Sequence, residues 1–438
     1  MKFFSRLLVP VLMVAVIGCT SQTPNEGNDG SEISVEESYM SEIENLAENS
    51  RIKEAMEFIR NMDDETVQNQ IMITEIPAPP FQEEVRAERY AEMMQEYGLD
   101  QVEIDEEGNV IGKRPGREGE HTIVISAHLD TVFPEGTGVE VEVRNDTLFA
   151  PGITDDTRGL TVLLTLINTM ETLDIQTADN IWFVGTVGEE GIGDLRGVKH
   201  LFETEGENID AFISVDGSDD SRIVNKALGS HRYRVTFEGP GGHSWGAFGT
   251  ANPAHALGRA ITYFEDNASQ FVKSGPRTSY NIGRIGGGTS VNSIPFENWM
   301  EIDMRSESPE ALQQIDGIMQ DAMQKALIEA NNIKTEGPDL TVDIDMIGNR
   351  PSGEIPSDVP FIQRALAVAK HFGQEPGLTR SSTDANVSIS MGIPSMTIGG
   401  GGSSGGSHSL DEWWYNEEGY KGVQRTFMIL MAEAGLAE

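Results

Sequence analysis

The amino-acid sequence predicts an α/β protein in which a mostly parallel sheet lies between helices and is interrupted by an inserted α+β unit of ferredoxin-like order. Three observations predict it. Short apolar runs at residues 121–127, 181–187 and 211–215 alternate with helical stretches such as 160–170, the pattern of strands joined by helical crossovers. Between residues 229 and 348 the order changes to strand (233–238), helix (253–264), two strands (280–285, 299–305), helix (309–330) and strand (340–347). At 438 residues the chain also exceeds what one hydrophobic core usually holds.

In chain order, Lys2 and Arg6 precede an apolar run over residues 7–18 that is too short to span a bilayer, which reads as a secretory signal. Val16-Ile17-Gly18-Cys19 resembles the lipobox of bacterial lipoproteins, in which the cysteine is lipidated and becomes the mature N-terminus. That resemblance implies an exported chain, lipid-anchored in the bacterial cell envelope and touching the membrane only through Cys19. Cys19 is the single cysteine, so no disulfide forms within the chain. Residues 21–34, rich in Asn, Gly, Ser and acid, read as a flexible tether.

The 71 acidic residues against 31 basic ones give a formal charge of -40, which repels phosphate backbones and anionic lipid. No nucleic-acid partner is expected. The acidity reads as a solvated surface, with adaptation to high salt as the sharper alternative.

Residues 35–61 carry a helical, acidic pattern. After Ile76-Pro-Ala-Pro-Pro80 a second amphipathic helix sets Ala87, Tyr90, Ala91, Met94 and Tyr97 on one face, as core. The expected domains are a signal peptide (1–18), a tether (19–34), a catalytic domain in two parts (35–228 and 349–438) and the inserted unit (229–348). There are no internal repeats. Each apolar strand run ends directly in ionisable residues, and in open α/β sheets ligands gather beyond the carboxyl ends of the strands.

Five short segments carry the chemistry. His128 ends the first run, with Asp130 two residues on and on the same side, where a carboxylate can fix an imidazole's tautomer. Alone, such a pair is more often a surface feature. Asp155 and Asp156 stand just before a helix, where one of them could serve as N-cap. In Gly188-Glu189-Glu190-Gly191 the adjacent side chains diverge, so one carboxylate can bind metal while its neighbour faces a water. Asp216, before Gly217, also suits a turn. His408 follows a glycine run that lacks the Lys of a phosphate-binding loop, so that run reads as a flexible or closely packed turn.

In order and spacing these motifs resemble the co-catalytic zinc peptidase family that includes peptidase T, glutamate carboxypeptidase and aminoacylase, from about Ile73 to the C-terminus. The inserted unit falls where that family carries its lid. The resemblance implies two Zn²⁺, with Mn²⁺ and Co²⁺ as alternatives suited to the same donors. It implies that Asp155 bridges the ions, that His128 and Asp216 complete one site, and that Glu190 and His408 complete the other. Asp130 would orient His128, Glu189 would be the general base, and the Asp155–Asp156 peptide would be cis. In the lid, His243 matches a histidine that reaches a neighbouring subunit's site in dimeric members, and Asn292 and Arg305 match positions that contact substrate. A homodimer through the lid follows. Two departures stand out: Thr157 replaces a Lys common among relatives, and the Asp216-Gly217 ligand segment is closer to the peptidase T branch.

The implied activity is hydrolysis of short peptides, as an aminopeptidase or tripeptidase, with a carboxypeptidase or an N-acyl-amino-acid deacylase as the alternatives on the same site. Two other classes are expected to fail: a serine hydrolase built from Ser244, Asp384 and His408, whose glycine-broken surroundings do not suit a nucleophile elbow, and a lipoprotein that only binds peptides, in which Glu189 would have no purpose.

Overall fold

Thr122–His128 and Ala211–Val215 are buried along their whole length, as strands covered by helices on both faces must be. In the computed structural model, which describes residues 34–219 and 221–437, they lie side by side in the middle of a nine-stranded sheet. The expected signal peptide, Cys19 and all of the tether but Ser34 fall outside the described residues.

The sheet runs Gln101–Ile104, Val110–Arg114, Asn180–Thr186, Thr122–His128, Ala211–Val215, Ser395–Ile398, Arg222–Ala227 and Gly353–Glu354, with Gly377–Ser381 also paired to Arg222–Ala227. Its four central strands are mutually parallel, and antiparallel strands close its edges. The helix Thr157–Thr172 is apolar nearly all round and almost wholly buried, so it serves as a core element between sheet and outer helices. Tyr420–Ala434 and Pro360–His371 are likewise buried over most of their length, whereas Glu84–Glu96 buries a face that includes Ala87, Tyr90, Ala91 and Met94.

The acidic N-terminal stretch forms three helices, Glu37–Glu48, Ser50–Asn61 and Asp63–Thr74, of which the second is capped by Asn49 accepting from Arg51 N. Gln363, itself buried, accepts from Glu36 N and donates to Ser34 O, which fixes the entry of the chain onto the helix Pro360–His371.

Between Arg222–Ala227 and Gly353–Glu354 the chain builds a four-stranded antiparallel sheet, ordered Thr278–Gly287, Glu297–Ser306, Gly229–Glu238, Thr341–Arg350. Two helices, Pro253–Phe271 and Pro309–Ile333, cover one face; each has Pro at its first turn behind an Asn252 or Ser308 cap. Alternation decides the faces. Met300, Ile302 and Met304 point into a core of their own with Val235, Phe237 and Phe264, while Trp299, Glu301, Asp303 and Arg305 line the other face. A small sheet that sequence reading did not anticipate, Ser403–Gly405, Trp413–Tyr415, Thr147–Phe149 and Glu142–Arg144, joins the His408 segment to the Asp155 segment. No helix among the described residues is long and apolar enough to cross a membrane.

Candidate metal centre

Three adjacent parallel strands deliver the first residues. His128 is the last residue of Thr122–His128, Asp216 follows Ala211–Val215 directly, and Glu189 and Glu190 follow Asn180–Thr186 after a turn at Val187-Gly188. Gly188 has φ +69°, and a Cβ there would lie 2.6 Å from Arg196 Cγ, so the turn that aims the two glutamates requires glycine. Asp155 comes from the loop before Thr157–Thr172, and His408 from the turn between Ser403–Gly405 and Trp413–Tyr415. His408 itself holds φ +64°, a conformation few non-glycine residues adopt, as side chains held at functional sites often do.

Asp155 sits between the two imidazoles. Its Oδ1 is 2.9 Å from His128 Nε2, its Oδ2 is 3.0 Å from His408 Nε2, and His408 Nε2 is also 3.0 Å from Glu190 Oε1. Asp216 joins His128 and Asp155 with donor atoms within 4.8 Å of one another, and Glu190 and His408 form a second such group with Asp155. The five residues singled out as ligands therefore fall into two triads that share Asp155. Glu189 forms a further group with His128 and Glu190.

The surroundings fix the donors. His128 Nδ1 donates to the main-chain carbonyl of Asp130 at 3.0 Å, which fixes the ring so that Nε2 faces Asp155 Oδ1 at 2.9 Å and can turn its lone pair to a metal once its proton is displaced. The Asp130 carboxylate lies 3.6 Å from Nδ1, and its oxygens accept from Glu189 N at 3.0 Å and Glu190 N at 2.8 Å. Asp130 thus braces both halves of the site. Asp156 caps the helix through Gly159 N and accepts from His128 N, so of the two adjacent acids one caps and the other reaches the cluster. The peptide between them is cis.

The electrostatics favour cations. Hydrogen bonds that His408 donates to Asp155 and Glu190 raise it to about 11. Burial opposes charge on His128, but hydrogen bonds to Asp130 and Asp155 outweigh it and hold that imidazole well above its ordinary value. Burial and then the charge of Asp155 push Asp216 up to about 6. Three carboxylates this close repel unless positive charge lies among them, carried either by the two protonated imidazoles or by cations that displace their protons, and two imidazole nitrogens with three carboxylates are the donor set of divalent transition ions. The residues present fit two such ions.

Arg350, which nothing in the local sequence pattern marks, ends the strand Thr341–Arg350 and reaches Glu189. Its Nη1 donates to Oε1 at 3.0 Å, its Nη2 to the Glu189 carbonyl, and both side chains are buried. Burial pushes Glu189 well up, the Arg350 charge opposes that, and Glu190 adds to it. Arg232, on the neighbouring strand, donates to Gly191 O at 2.8 Å. The antiparallel sheet therefore touches the glutamate loop directly. Glu412, also missed, is buried against the Asp155 loop.

The remaining expected residues lie on the antiparallel unit. Gly242–His243 pairs with Ser293–Ile294, which sets His243 beside the Asn292 turn, where Ser244 N donates to Asn292 O. His243 Nδ1 accepts from Trp245 N at 3.2 Å and Gly246 N at 3.3 Å, so its Nε2 carries the hydrogen. Arg305 pairs with Asp303 at 2.8 Å, and Asp303 in turn with Arg232. Among the described residues no hydrogen bond or ion pair joins His243, Asn292 or Arg305 to the cluster.

The geometry does not suit the serine alternative. His408 is engaged with Asp155 and Glu190, Asp384 is buried and bonded to Thr186, and Ser244 follows a two-residue strand instead of a strand-to-helix elbow.

Comparison with known proteins gives the family and the fold. The model of peptidase family M20/M25/M40 matches residues 124–432. Protein YqjE of Bacillus subtilis (strain 168) is 27% identical over 306 residues, 66% of this chain and 76% of that protein. Carboxypeptidase G2 of Pseudomonas sp. (strain RS-16) is 24% identical over 296 residues, 65% and 67% of the two chains. Among solved structures, the aminopeptidase PepT of Bacillus cereus ATCC 10987 shares the fold with a TM-score of 0.66 at 21% identity, over 84% of this chain and 97% of that one.

Proposed function

Because the chain belongs to peptidase family M20/M25/M40, we propose that this metal-dependent hydrolase is a di-zinc peptidase of short peptides, an aminopeptidase or tripeptidase of the peptidase T type. The observation that carries the proposal is Asp155, whose two oxygens are divided between two imidazoles at 2.9 and 3.0 Å. In this reading His128 and Asp216 would hold one ion and Glu190 and His408 the other, with Asp155 available to both. Residues 35–228 and 349–438 form the catalytic domain and 229–348 the lid. Bound there, divalent ions would acidify water and polarise a scissile carbonyl.

The chain's own groups supply the rest. Glu189 takes a proton from the attacking water and returns it to the departing amine nitrogen. Arg350 engages Oε1, so Oε2 is the oxygen that exchanges the proton. His243, with its hydrogen on Nε2, is suited to donate to the developing oxyanion, and Arg305 or Asn292 to hold the substrate's polar ends. Trp245 and Phe248 beside His243 are 88% and 83% exposed, and in this proposal a second copy covers them in a homodimer. In this proposal residues 1–18 direct export and Cys19, lipidated, holds the enzyme to the cell envelope.

A carboxypeptidase or an N-acyl-amino-acid deacylase is the second reading, supported by the sequence likeness to carboxypeptidase G2. A panel of free, N-acylated and C-amidated di- and tripeptides tests the choice. The expected result is cleavage of peptides with a free amino terminus, including C-amidated ones; cleavage only of N-acylated substrates overturns the aminopeptidase assignment. Activity is expected to vanish with a chelator, to return with Zn²⁺, and to be indifferent to a fluorophosphonate. A purely peptide-binding protein would show no turnover at all.

A further inference from the structure

Two chain segments far apart in sequence must meet for Asp155 and His408 to stand 3.0 Å apart. Segment 150–158 carries Asp155, and segment 399–419 carries His408. Each segment sends one buried charged side chain into the backbone of the other.

From the His408 side comes Glu412, 0% exposed. Its Oε1 accepts from Thr154 N at 2.9 Å and Asp155 N at 3.1 Å, its Oε2 from Gly152 N at 2.9 Å, and its carbonyl from Ala150 N at 3.2 Å. A carboxylate that accepts several main-chain N–H groups in a dry interior holds them more firmly than neutral acceptors do. From the Asp155 side comes Arg158, also 0% exposed. Its Nε donates to Gly400 O at 2.9 Å and its Nη2 to Gly419 O at 2.7 Å, and its guanidinium lies over the Trp414 ring at 4.9 Å. The glycine run exists to allow this approach: a Cβ on Gly400 would stand 2.9 Å from Arg158 Cγ, and one on Gly402 2.5 Å from Trp414 Nε1.

We propose that Glu412 and Arg158 are positioning residues that form a reciprocal clasp, setting the distance between Asp155 and His408 and so the integrity of the Asp155–Glu190–His408 ion site. Neither touches the donor atoms. They act through the Asp155 main-chain N–H and through the loop that carries His408. The inference rests on the two-ion reading of the centre. Because the clasp holds two donors of the Asp155–Glu190–His408 triad, Asp155 and His408, but only Asp155 of the His128–Asp155–Asp216 triad, its loss falls on one ion site more than on the other.

The test is direct titration of the apo protein with Zn²⁺ against a chromophoric chelator, which resolves two successive affinities without any measurement of activity. Thermal melts of the same apo samples run alongside. Glu412→Gln keeps Oε1 for Thr154 and Asp155 but turns an amide donor toward Gly152 N–H, and is expected to weaken one Zn²⁺ about 10-fold; Glu412→Ala should weaken it about 100-fold, the range found when groups that orient metal ligands are removed. Arg158→Lys keeps the charge but not the two-pronged, stacked geometry, and should weaken the same Zn²⁺ while the other is changed less than threefold. Equal weakening at both sites, or lowered melting with both affinities unchanged, makes these residues merely structural and overturns the clasp. Wild-type protein that takes up fewer than two Zn²⁺ overturns the two-ion reading itself, and the clasp with it; only in that outcome does the wild type differ from expectation.

Discussion

Glu189→Gln is expected to bind metal as the wild type does while kcat falls by about 10³-fold, within the range that a positioned general base contributes. The argument starts from placement. Glu189 is 5% exposed, its backbone N–H is held by Asp130 Oδ1, and its side chain is fixed by Arg350 at 3.0 Å. Its neighbour Glu190 points instead to His408 at 3.0 Å. Adjacent residues at the end of a strand diverge, so one is committed to the cluster and the other is left with an oxygen for proton transfer. Glutamine keeps a partner for Arg350 and removes only the capacity to take a proton. Glu189→Ala should lose as much turnover, and it should also melt earlier, because it leaves the Arg350 guanidinium buried without its carboxylate. Metal content by mass spectrometry, steady-state kinetics and a thermal melt separate these effects. Near-normal kcat in the Gln variant, with metal retained, would remove Glu189 from the role of base.

The strands that carry the centre were legible because strands buried on both faces are largely apolar runs, and 122–128, 180–186 and 211–215 are such runs, the first ending in His128, the third followed at once by Asp216 and the second by Glu189 and Glu190 after Val187-Gly188. The ferredoxin-like order was legible from alternation, as in Met300, Ile302 and Met304 against Glu301, Asp303 and Arg305. Other parts were hidden for a physical reason. Arg350 and Glu412 act on groups 161 and 257 residues away in sequence, and a buried charge whose partners are main-chain atoms of a distant loop leaves no local period. The edge strand Gln101–Ile104 and the strand Arg222–Ala227, one in from the opposite edge, mix polar and apolar residues, so they carry too weak a pattern to stand out. The bond from His128 Nδ1 to the Asp130 main chain shows the same limit: the His-x-Asp spacing announces the pair, yet the carboxylate spends its hydrogen bonds on the N–H groups of Glu189 and Glu190.

Asp155→Ala is expected to have the larger effect on metal, since in the proposed arrangement it alone serves both ions. Loss of His128 or Asp216 strips one triad, whereas loss of Asp155 removes a donor from each. It also removes the carboxylate that His128 Nε2 and His408 Nε2 both face, at 2.9 and 3.0 Å, and leaves His408, among the described residues, with Glu190 as its carboxylate partner within 4 Å. The His408 side chain is 56% exposed and sits on a turn in a sparsely populated conformation, so with one partner fewer it should swing into solvent and release its ion first. Zinc retained after gel filtration is therefore expected to fall from two per chain to none, a weakening beyond the roughly 100-fold that follows loss of a supporting residue, and peptide hydrolysis should fall with it. Asp216→Ala, made in parallel, should keep one Zn²⁺ on Glu190, His408 and Asp155. If Asp155→Ala instead keeps one ion and Asp216→Ala loses both, Asp216 is the shared donor and the assignment of the two sites is reversed.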